Sequence, residues 1–398
     1  MKTIKLKFVY FIYILYFWFL IPDFLESEFY IIHILSILFR VLGSVVAGFL
    51  FVKYRKHSRP LIVITVFIAY MLLTTLLNGF NIENLVRWAA IYVDIFGISV
   101  FTEYLIRDNV QRYLSIMNCL CISGFIINAI TVFIFKDGLV KVANEAGVLF
   151  PYYFYDYDNS FIVRYIYTFA IVFFYDKYYK KNNFKWIVIV AAATLFYRQS
   201  IGSLLAIVVF MVFYYFRRII RSNIINIKTI WVGYGLMTVF ILFCSSSGIL
   251  AYLIAFYHKT NSLGKRIYMW NKAVNVITHK FLLGTGVQNT TNMRNVFQYA
   301  QLHNSLLNTW LWGGFIGIAL YCIFIYSLHK DSKKMKDKSE RKIMSFLFVI
   351  VAVSSLMDGM ELISGIYLFY FIVCNSHYFN HISKQREILS LSFKKQDT

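Results

Sequence analysis

The sequence predicts an all-α polytopic membrane protein with about twelve transmembrane helices and a long outer loop. Of the 398 residues, 59% are hydrophobic, whereas a soluble domain is only about 45–50% apolar. The apolar residues form long unbroken blocks, and a membrane-spanning helix needs about 20 of them. Strands of a membrane barrel would alternate apolar and polar residues, and these blocks do not alternate. We expect one membrane domain over residues 1–398.

The apolar blocks place the helices along the chain. The first block follows "MKTIKLK" without a small-residue cleavage site, so we interpret it as a retained helix and not as a signal peptide. The predicted helices lie near residues 8–21, 29–52, 60–78, 88–106, 113–135, 161–175, 186–197, 200–216, 229–248, 303–328, 343–356 and 361–379.

The positive charge indicates the orientation. The formal net charge is +21, and 28 of the 40 Lys and Arg residues lie in the two terminal segments and in alternate loops between the predicted helices. Lysine and arginine collect on the cytoplasmic side of membrane proteins. We therefore expect a bacterial cytoplasmic (inner) membrane protein with both termini in the cytoplasm. Topology accounts for the charge, so we expect no nucleic-acid partner.

Two longer loops are predicted on the outer side, at about 136–160 and 249–302. In the second loop, Ile267, Trp270 and Val274 recur at helical spacing, which predicts a helix lying in the outer membrane interface with Trp270 as its anchor. A turn containing Gly284 and Gly286 follows that helix.

His303 opens the tenth predicted helix, at its outer mouth. An imidazole has an ordinary pKa of about 6.5, so it can take a proton from an incoming hydroxyl group. Gly313 and Gly317 form a small-xxx-small pair, which lets a neighbouring helix approach closely. The alternative is an interfacial histidine bonded to a loop carbonyl.

Four arginines fall near the predicted outer ends of helices, where positive charge is scarce: Arg87, Arg164, Arg198 and Arg266. A guanidinium group is always charged and binds phosphate oxygens at two points. The alternative for each arginine is contact with lipid headgroups or a local carboxylate, such as Glu83 beside Arg87.

Charged residues also occur inside two predicted helices, Arg40 in the second and Asp94 in the fourth. Intramembrane charges are costly and are usually paired or functional, and these two could pair with each other. The five cysteines show neither metal spacing nor a disulfide pattern, and we expect no metal site.

Two segments resemble the bacterial family of O-antigen polymerases and O-antigen ligases. They are "RIYMWNKAVNVITHKFLLGTGVQN" and "QLHNSLLNTWLWGGFIG". The residues that match the family pattern are Arg266, Trp270, Leu283, Gly284, Gly286, His303, Asn304, Leu307, Gly314 and Gly317. A weaker match places Arg198 at a family arginine, although Tyr197 stands where the family often has serine.

The resemblance implies a membrane glycosyltransferase that uses undecaprenyl-diphosphate-linked sugars, with no cofactor and no obligate metal. His303 would be the general base, and Arg198 and Arg266 would hold the diphosphate. We expect Arg87, Arg164, Trp270 and Asn304 to contact the substrate.

Among the activities of this family, we expect a polymerase that joins lipid-linked repeat units into O-antigen, capsule or exopolysaccharide. The partners would be the undecaprenyl-diphosphate-linked oligosaccharide, membrane lipid, a chain-length regulator and a flippase. The alternatives are ligase-type transfer to another acceptor and a polysaccharide flippase or transporter. A transporter would more often show internal repeats and helices broken by Gly or Pro.

Overall fold

A computed structural model of the protein describes residues 2–143, 149–156, 161–219, 225–246, 261–356 and 358–380. Of the residues that the structure describes, 80% are helical. Its α-helices are α1 Lys2–Trp18, α2 Asp23–Glu28, α3 Tyr30–Lys53, α4 Arg59–Leu77, α5 Ile82–Asp108, α6 Val110–Ile134, α7 Phe161–Tyr179, α8 Phe184–Tyr197, α9 Ile201–Tyr215, α10 Ile227–Ser246, α11 Asn261–His279, α12 Thr290–Phe297, α13 Ser305–Ser332, α14 Lys338–Ser355 and α15 Ser364–Asn375.

The predicted helical membrane architecture is confirmed, and a helix lies at each of the twelve predicted positions. Among the described residues, six helices are long and apolar enough to cross a membrane. These six are α3, α4, α5, α6, α10 and α13. Two shorter apolar helices cover Leu6–Trp18 and Phe184–Tyr197. The last two residues of the predicted block 229–248 and the loop residues 249–260 lie outside the described residues.

Helix α15 lies at the centre of the bundle. Its residues Gly365–Asn375 are all buried, and it packs against α5, α7 and α13. The segment that precedes α15 contains Asp358 and a 3₁₀ turn, Met360–Leu362. This segment meets the residues that precede α13, because Ser305 contacts Asp358 and Glu361. We call this end of the bundle the His303 end.

Helix α13 runs close along α4, as the pair Gly313 and Gly317 predicts. A Cβ on Gly313 would lie 3.0 Å from the Met71 side chain, and the Tyr70 hydroxyl donates to the Gly313 carbonyl at 2.8 Å. However, α13 is not regular, since Gly314 has a φ of 61° and a ψ of −162° inside it. The predicted tenth helix is therefore interrupted at this position.

The first predicted span is broken between α1 and α2. The carbonyl of Trp18 accepts from Arg40 Nε at 3.1 Å. The carbonyls of Leu20 and Ile21 accept from the two terminal nitrogens of Arg164, each at 2.9 Å. Where a helix breaks at membrane depth, its freed backbone groups need such partners. Arg40 also pairs with Asp94 at 3.3 Å, which confirms the pairing that the sequence left open.

The predicted outer segments contain regular structure. A two-stranded antiparallel hairpin, Val140–Ala143 with Leu149–Tyr152, lies in the first loop and is not predicted from the sequence. In the second loop, the predicted helix is present as α11, and α12 follows it. The Trp270 indole is only 1% exposed, so it is a core residue and not an anchor in lipid headgroups.

Candidate active site

His303 lies two residues before α13 in a left-handed backbone conformation, with a φ of 49°. The predicted helix begins two residues later than expected, because Asn304 is its N-cap and its side-chain oxygen accepts from Leu307 N at 3.1 Å. A left-handed non-glycine residue costs on the order of 1–3 kcal/mol, and such strain concentrates at functional sites. The surroundings therefore hold His303 in a conformation that it would not adopt freely.

The imidazole of His303 contacts a carboxylate that the sequence analysis missed. Its Nδ1 lies 3.3 Å from Oδ1 of Asp358. The same oxygen accepts from the amide of Gly359 at 2.9 Å and from the side chain of Gln301 at 3.1 Å. A carboxylate beside Nδ1 favours the proton on that nitrogen, which leaves Nε2 as the acceptor. This pair has the form of an oriented general base. The partner of the imidazole is a carboxylate and not the loop carbonyl of the alternative interpretation.

The residue before His303 is fixed on both sides. The amide of Leu302 donates to the Asn308 side chain at 2.9 Å, and its carbonyl accepts from the Trp270 indole at 2.7 Å. Both side chains are buried. Trp270 and Asn308 thus position the His303 segment, from α11 and from the first turn of α13 respectively. This contact explains why a tryptophan in one motif accompanies a histidine 33 positions later in the other.

The two motifs form one unit through their backbones. The amides of Thr285 and Gly286 donate to the carbonyls of Leu311 and Trp312 at 2.8 and 2.9 Å. In return, the amides of Phe315 and Ile316 donate to the carbonyls of Phe281 and Leu282 at 2.8 and 3.3 Å. The irregular backbone at Gly314 frees these groups in α13, and the turn supplies their partners. We call residues 281–286 with 311–316 the interlocked turn.

Gly284 and Gly286 provide the predicted turn, with φ values of 71° and 69°. The turn is also held by α4, because Asn78 donates to the Gly284 carbonyl at 3.2 Å and Thr75 accepts from the Val287 amide at 2.9 Å.

Arg87, one of the four predicted outer arginines, contacts the segment that leads to His303. Its guanidinium donates to the carbonyl of Ala300 at 2.6 Å and lies 5.4 Å from the centre of the Trp312 ring. Glu83, which was considered as its partner, accepts from the Asn289 side chain at 2.6 Å. Arg87 therefore contacts the backbone three residues before His303.

The other three predicted arginines have different surroundings. Arg164 is bound in the break of the first span and pairs with Asp23 at 3.2 Å. Arg198 follows α8, where it donates to the Lys136 carbonyl at 3.1 Å and lies 4.8 Å from the centre of the Tyr153 ring. Arg266 is half-buried on α11.

Glu361 is a second acidic residue that the sequence analysis missed. It lies in the 3₁₀ turn outside α14 and α15, and it is 2% exposed. Within the described part of the chain, neither carboxyl oxygen meets hydrogen-bond geometry with a partner, although Ser305 and Asn308 lie beside it. Burial raises the pKa of Glu361 to about 8. The sequence signal for both acidic residues is "SLMDGMEL", where Asp358 and Glu361 lie between two apolar blocks.

Part of the chain matches a known protein family. Residues 186–322 match the model of the O-antigen ligase family. The matched range contains Arg198, Arg266, the interlocked turn and His303, and it ends before Asp358. The chain has no significant match among curated proteins. The chain is therefore similar to the O-antigen ligase family over residues 186–322, and its described residues include six helices that are long and apolar enough to cross a membrane.

Proposed function

We propose that the protein is a polymerase that joins undecaprenyl-diphosphate-linked repeat units into a surface polysaccharide. Proteins of this family are membrane enzymes of the ligase or polymerase type. The observation that carries the proposal is the contact between His303 and Asp358, 3.3 Å apart, at one end of the helical bundle. The proposed reaction needs no nucleophilic side chain, since a hydroxyl group of the acceptor sugar is the nucleophile.

In the proposed reaction, Nε2 of His303 takes the proton from the acceptor hydroxyl. The acceptor oxygen forms a bond to the anomeric carbon of the donor sugar, while the bond from that carbon to the diphosphate oxygen breaks. The diphosphate leaves with the bonding electron pair. The carboxylate of Asp358, at Nδ1, stabilises the imidazolium that forms. General-base help of this kind contributes about 10²–10⁴ in rate.

We propose that Arg198 and Arg266 bind the leaving diphosphate, and that Arg87 assists because it contacts the His303 segment. Fixed positive groups aimed at developing negative charge are a large source of catalysis. Arg164 serves the fold in this proposal, because its guanidinium holds the broken first span.

His303→Ala tests the proposal in cells. We expect normal abundance in the membrane, with single repeat units on the carrier lipid in place of long chains. His279→Ala is the matched control, because His279 is exposed at the end of α11 and its imidazole bonds to the carbonyl of Asn275, one turn earlier, at 2.8 Å. Long polymer at near-normal yield from His303→Ala would contradict the general-base role.

The match to the O-antigen ligase family favours ligase activity as the second candidate. The same experiment separates the two activities. Loss of a ligase leaves finished long chains on the carrier lipid, whereas loss of a polymerase leaves single units. Accumulation of long lipid-linked chains in the His303→Ala strain would therefore assign the ligase reaction.

The proposed orientation puts the reaction on the outer face of the membrane. In a cysteine-free background, a cysteine at Lys280 should react with an impermeant maleimide in intact cells. A cysteine at Lys336, in the lysine-rich loop before α14, should react only after permeabilisation. The reverse pattern would place His303 on the wrong side for a lipid-linked donor that is presented outside.

A further inference from the structure

A polar cavity of about 350 Å³ lies beside the break between α1 and α2. One wall is the segment Leu362–Gly365, which begins four residues after Asp358 in the chain. The charged side chains among the other lining residues are Asp23, Arg40, Asp94, Asp156 and Arg164. The cavity therefore adjoins the segment that carries the carboxylate partner of His303.

The charged side chains of the cavity alternate between acceptors and donors. Arg40 lies between two carboxylates, Glu26 and Asp94, and Arg164 is paired with Asp23. These groups remain partly open: the side chain of Arg40 is 25% exposed and that of Asp94 is 16% exposed. If these charged side chains served only to bind the free carbonyls of the first span, they would not need a cavity beside them.

The balance of charge selects against an anion. Three carboxylates line the cavity, those of Asp23, Asp94 and Asp156, against the two guanidinium groups. A diphosphate placed among them would meet more negative than positive charge. A neutral ligand with many hydroxyl groups has no such cost, and each hydroxyl can donate to a carboxylate and accept from a guanidinium.

We propose that this cavity binds a sugar residue of the substrate, and that Asp94 and Arg40 recognise its hydroxyl groups. The inference rests on the proposed function, since it places part of the lipid-linked oligosaccharide beside the His303 end. The volume of about 350 Å³ falls at the small end of ligand pockets, which measure about 300–1,000 Å³. The cavity thus fits one or two sugar rings and leaves the diphosphate outside it.

Asp94→Asn tests the inference with little disturbance of the fold, because Arg40 keeps its ion pair with Glu26. The probe is the oligosaccharide repeat unit released without lipid from the polysaccharide of the same bacterium, titrated calorimetrically into purified protein. We expect Asp94→Asn to weaken its binding by about tenfold or more, the effect of losing one hydrogen bond to a charged group. The KM for the lipid-linked repeat unit should rise similarly, with kcat within about twofold of the wild type.

Glu103→Gln is the matched control, because Glu103 is a buried, ion-paired carboxylate on the same helix and faces the Ser58 cap instead. It should leave probe binding unchanged. A second variant, Ser364→Leu, fills the cavity without removing a charge and should also weaken binding. Unchanged binding and KM in both Asp94→Asn and Ser364→Leu, or no binding of the probe to the wild type, would overturn the inference.

The two proposals fail in different ways. If His303→Ala binds the probe normally while Asp94→Asn does not, the cavity is a sugar site, whatever reaction the wild type catalyses. If the wild type forms polymer and Asp94→Asn forms it with unchanged KM and probe binding, the proposed function stands and the sugar site is refuted.

Discussion

Gly284 and Gly314 lie so close together that neither position has space for a side chain: a Cβ on Gly284 would lie 2.5 Å from the backbone nitrogen of Gly314. A Cβ on Gly314 would in turn overlap the carbonyl of Leu282. Both glycines have positive φ values, 71° and 61°. The contact joins the turn of one motif to the irregular position of the other, so the fold of the His303 segment depends on it.

Gly314→Ala should destabilise the protein strongly. The backbone strain alone is about 1–3 kcal/mol, and the overlap with the turn adds to it. We expect the unfolding temperature of the purified protein in detergent to fall by about 5 °C or more. Gly48→Ala is the control, since a Cβ at Gly48 has nothing within 4 Å. Equal melting temperatures for Gly314→Ala and Gly48→Ala would show that the interlocked turn does not require glycine.

Asp358→Asn should impair catalysis more than folding. An amide at this position can present its nitrogen to His303, which would favour the wrong imidazole tautomer. We expect kcat for chain extension to fall by about 10²-fold or more with KM little changed. Gln301→Ala removes another partner of the same carboxylate oxygen and should have a smaller effect. A similar loss in both variants would mean that Asp358 only holds the loop.

The contribution of Arg198 and Arg266 to activity should depend on the geometry of the guanidinium group as well as on its charge. Lysine keeps the charge but loses the planar two-point donor. Arg266→Lys should therefore be impaired and Arg266→Ala more so, with the same order at Arg198. The double alanine variant should lose less than the product of the two single effects, because both residues act on one group. Chain-length gels with purified protein would measure this, and full activity with lysine at both sites would refute the two-point role.

Arg164 should respond differently from those two arginines. Its terminal nitrogens each hold one backbone carbonyl of the broken span, at 2.9 Å. Lysine cannot reach both carbonyls with that geometry, so Arg164→Lys leaves a buried acceptor unpaired at a cost of about 1–3 kcal/mol. We expect lower abundance and a lower unfolding temperature than in the wild type. Wild-type abundance and unfolding temperature in Arg164→Lys would show that these two hydrogen bonds do not stabilise the segment.

Glu361 should make the stability pH-dependent. Its folded-state pKa of about 8 lies above the ordinary value of 4.5, because burial disfavours the charged form. Below pH 4.5 the folded and unfolded states both hold the proton, so the residue adds no pH dependence to the free energy of unfolding. Between pH 4.5 and 8 only the unfolded state loses the proton, so stability falls as the pH rises and then levels off.

Unfolding temperatures at pH 5 and pH 8.5 measure this dependence. We expect the wild-type value to fall between them by about 5 °C more than that of Glu361→Gln, which cannot ionise. Glu103→Gln serves as the control, because Glu103 is paired with Arg107 at 2.8 Å. Parallel pH profiles for the wild type and Glu361→Gln would show that Glu361 does not titrate in this way.

The helical positions could be predicted from the sequence because hydropathy reports burial in lipid directly. For example, the blocks predicted at 60–78 and 113–135 are the helices Arg59–Leu77 and Val110–Ile134. The break after Trp18 could not be predicted in this way. Its free carbonyls accept hydrogen bonds from Arg40 and Arg164, which are distant in the sequence.

The site was only partly predictable for the same reason. His303, Gly284 and Gly286 have distinctive local sequence contexts, and their roles in the turn and the helix start follow from them. Asp358 has no such context, because its pairing with His303 joins residues 55 positions apart through the packing of α15 against α13. The irregular backbone at Gly314 is likewise imposed by the turn that docks on it.

The interlocked turn also limits how this part of the protein can move. Four main-chain hydrogen bonds fasten the turn to α13, and each contributes a net 0.5–1.5 kcal/mol, so detaching it would cost on the order of 2–6 kcal/mol. The segment around the turn therefore behaves as a fixed wall of the site and not as a lid that opens and closes with each sugar added. Under the proposed function, products of every length pass the same rigid opening. Chain length must then be set by how long the product stays bound, or by a partner protein, and not by a gate in this segment.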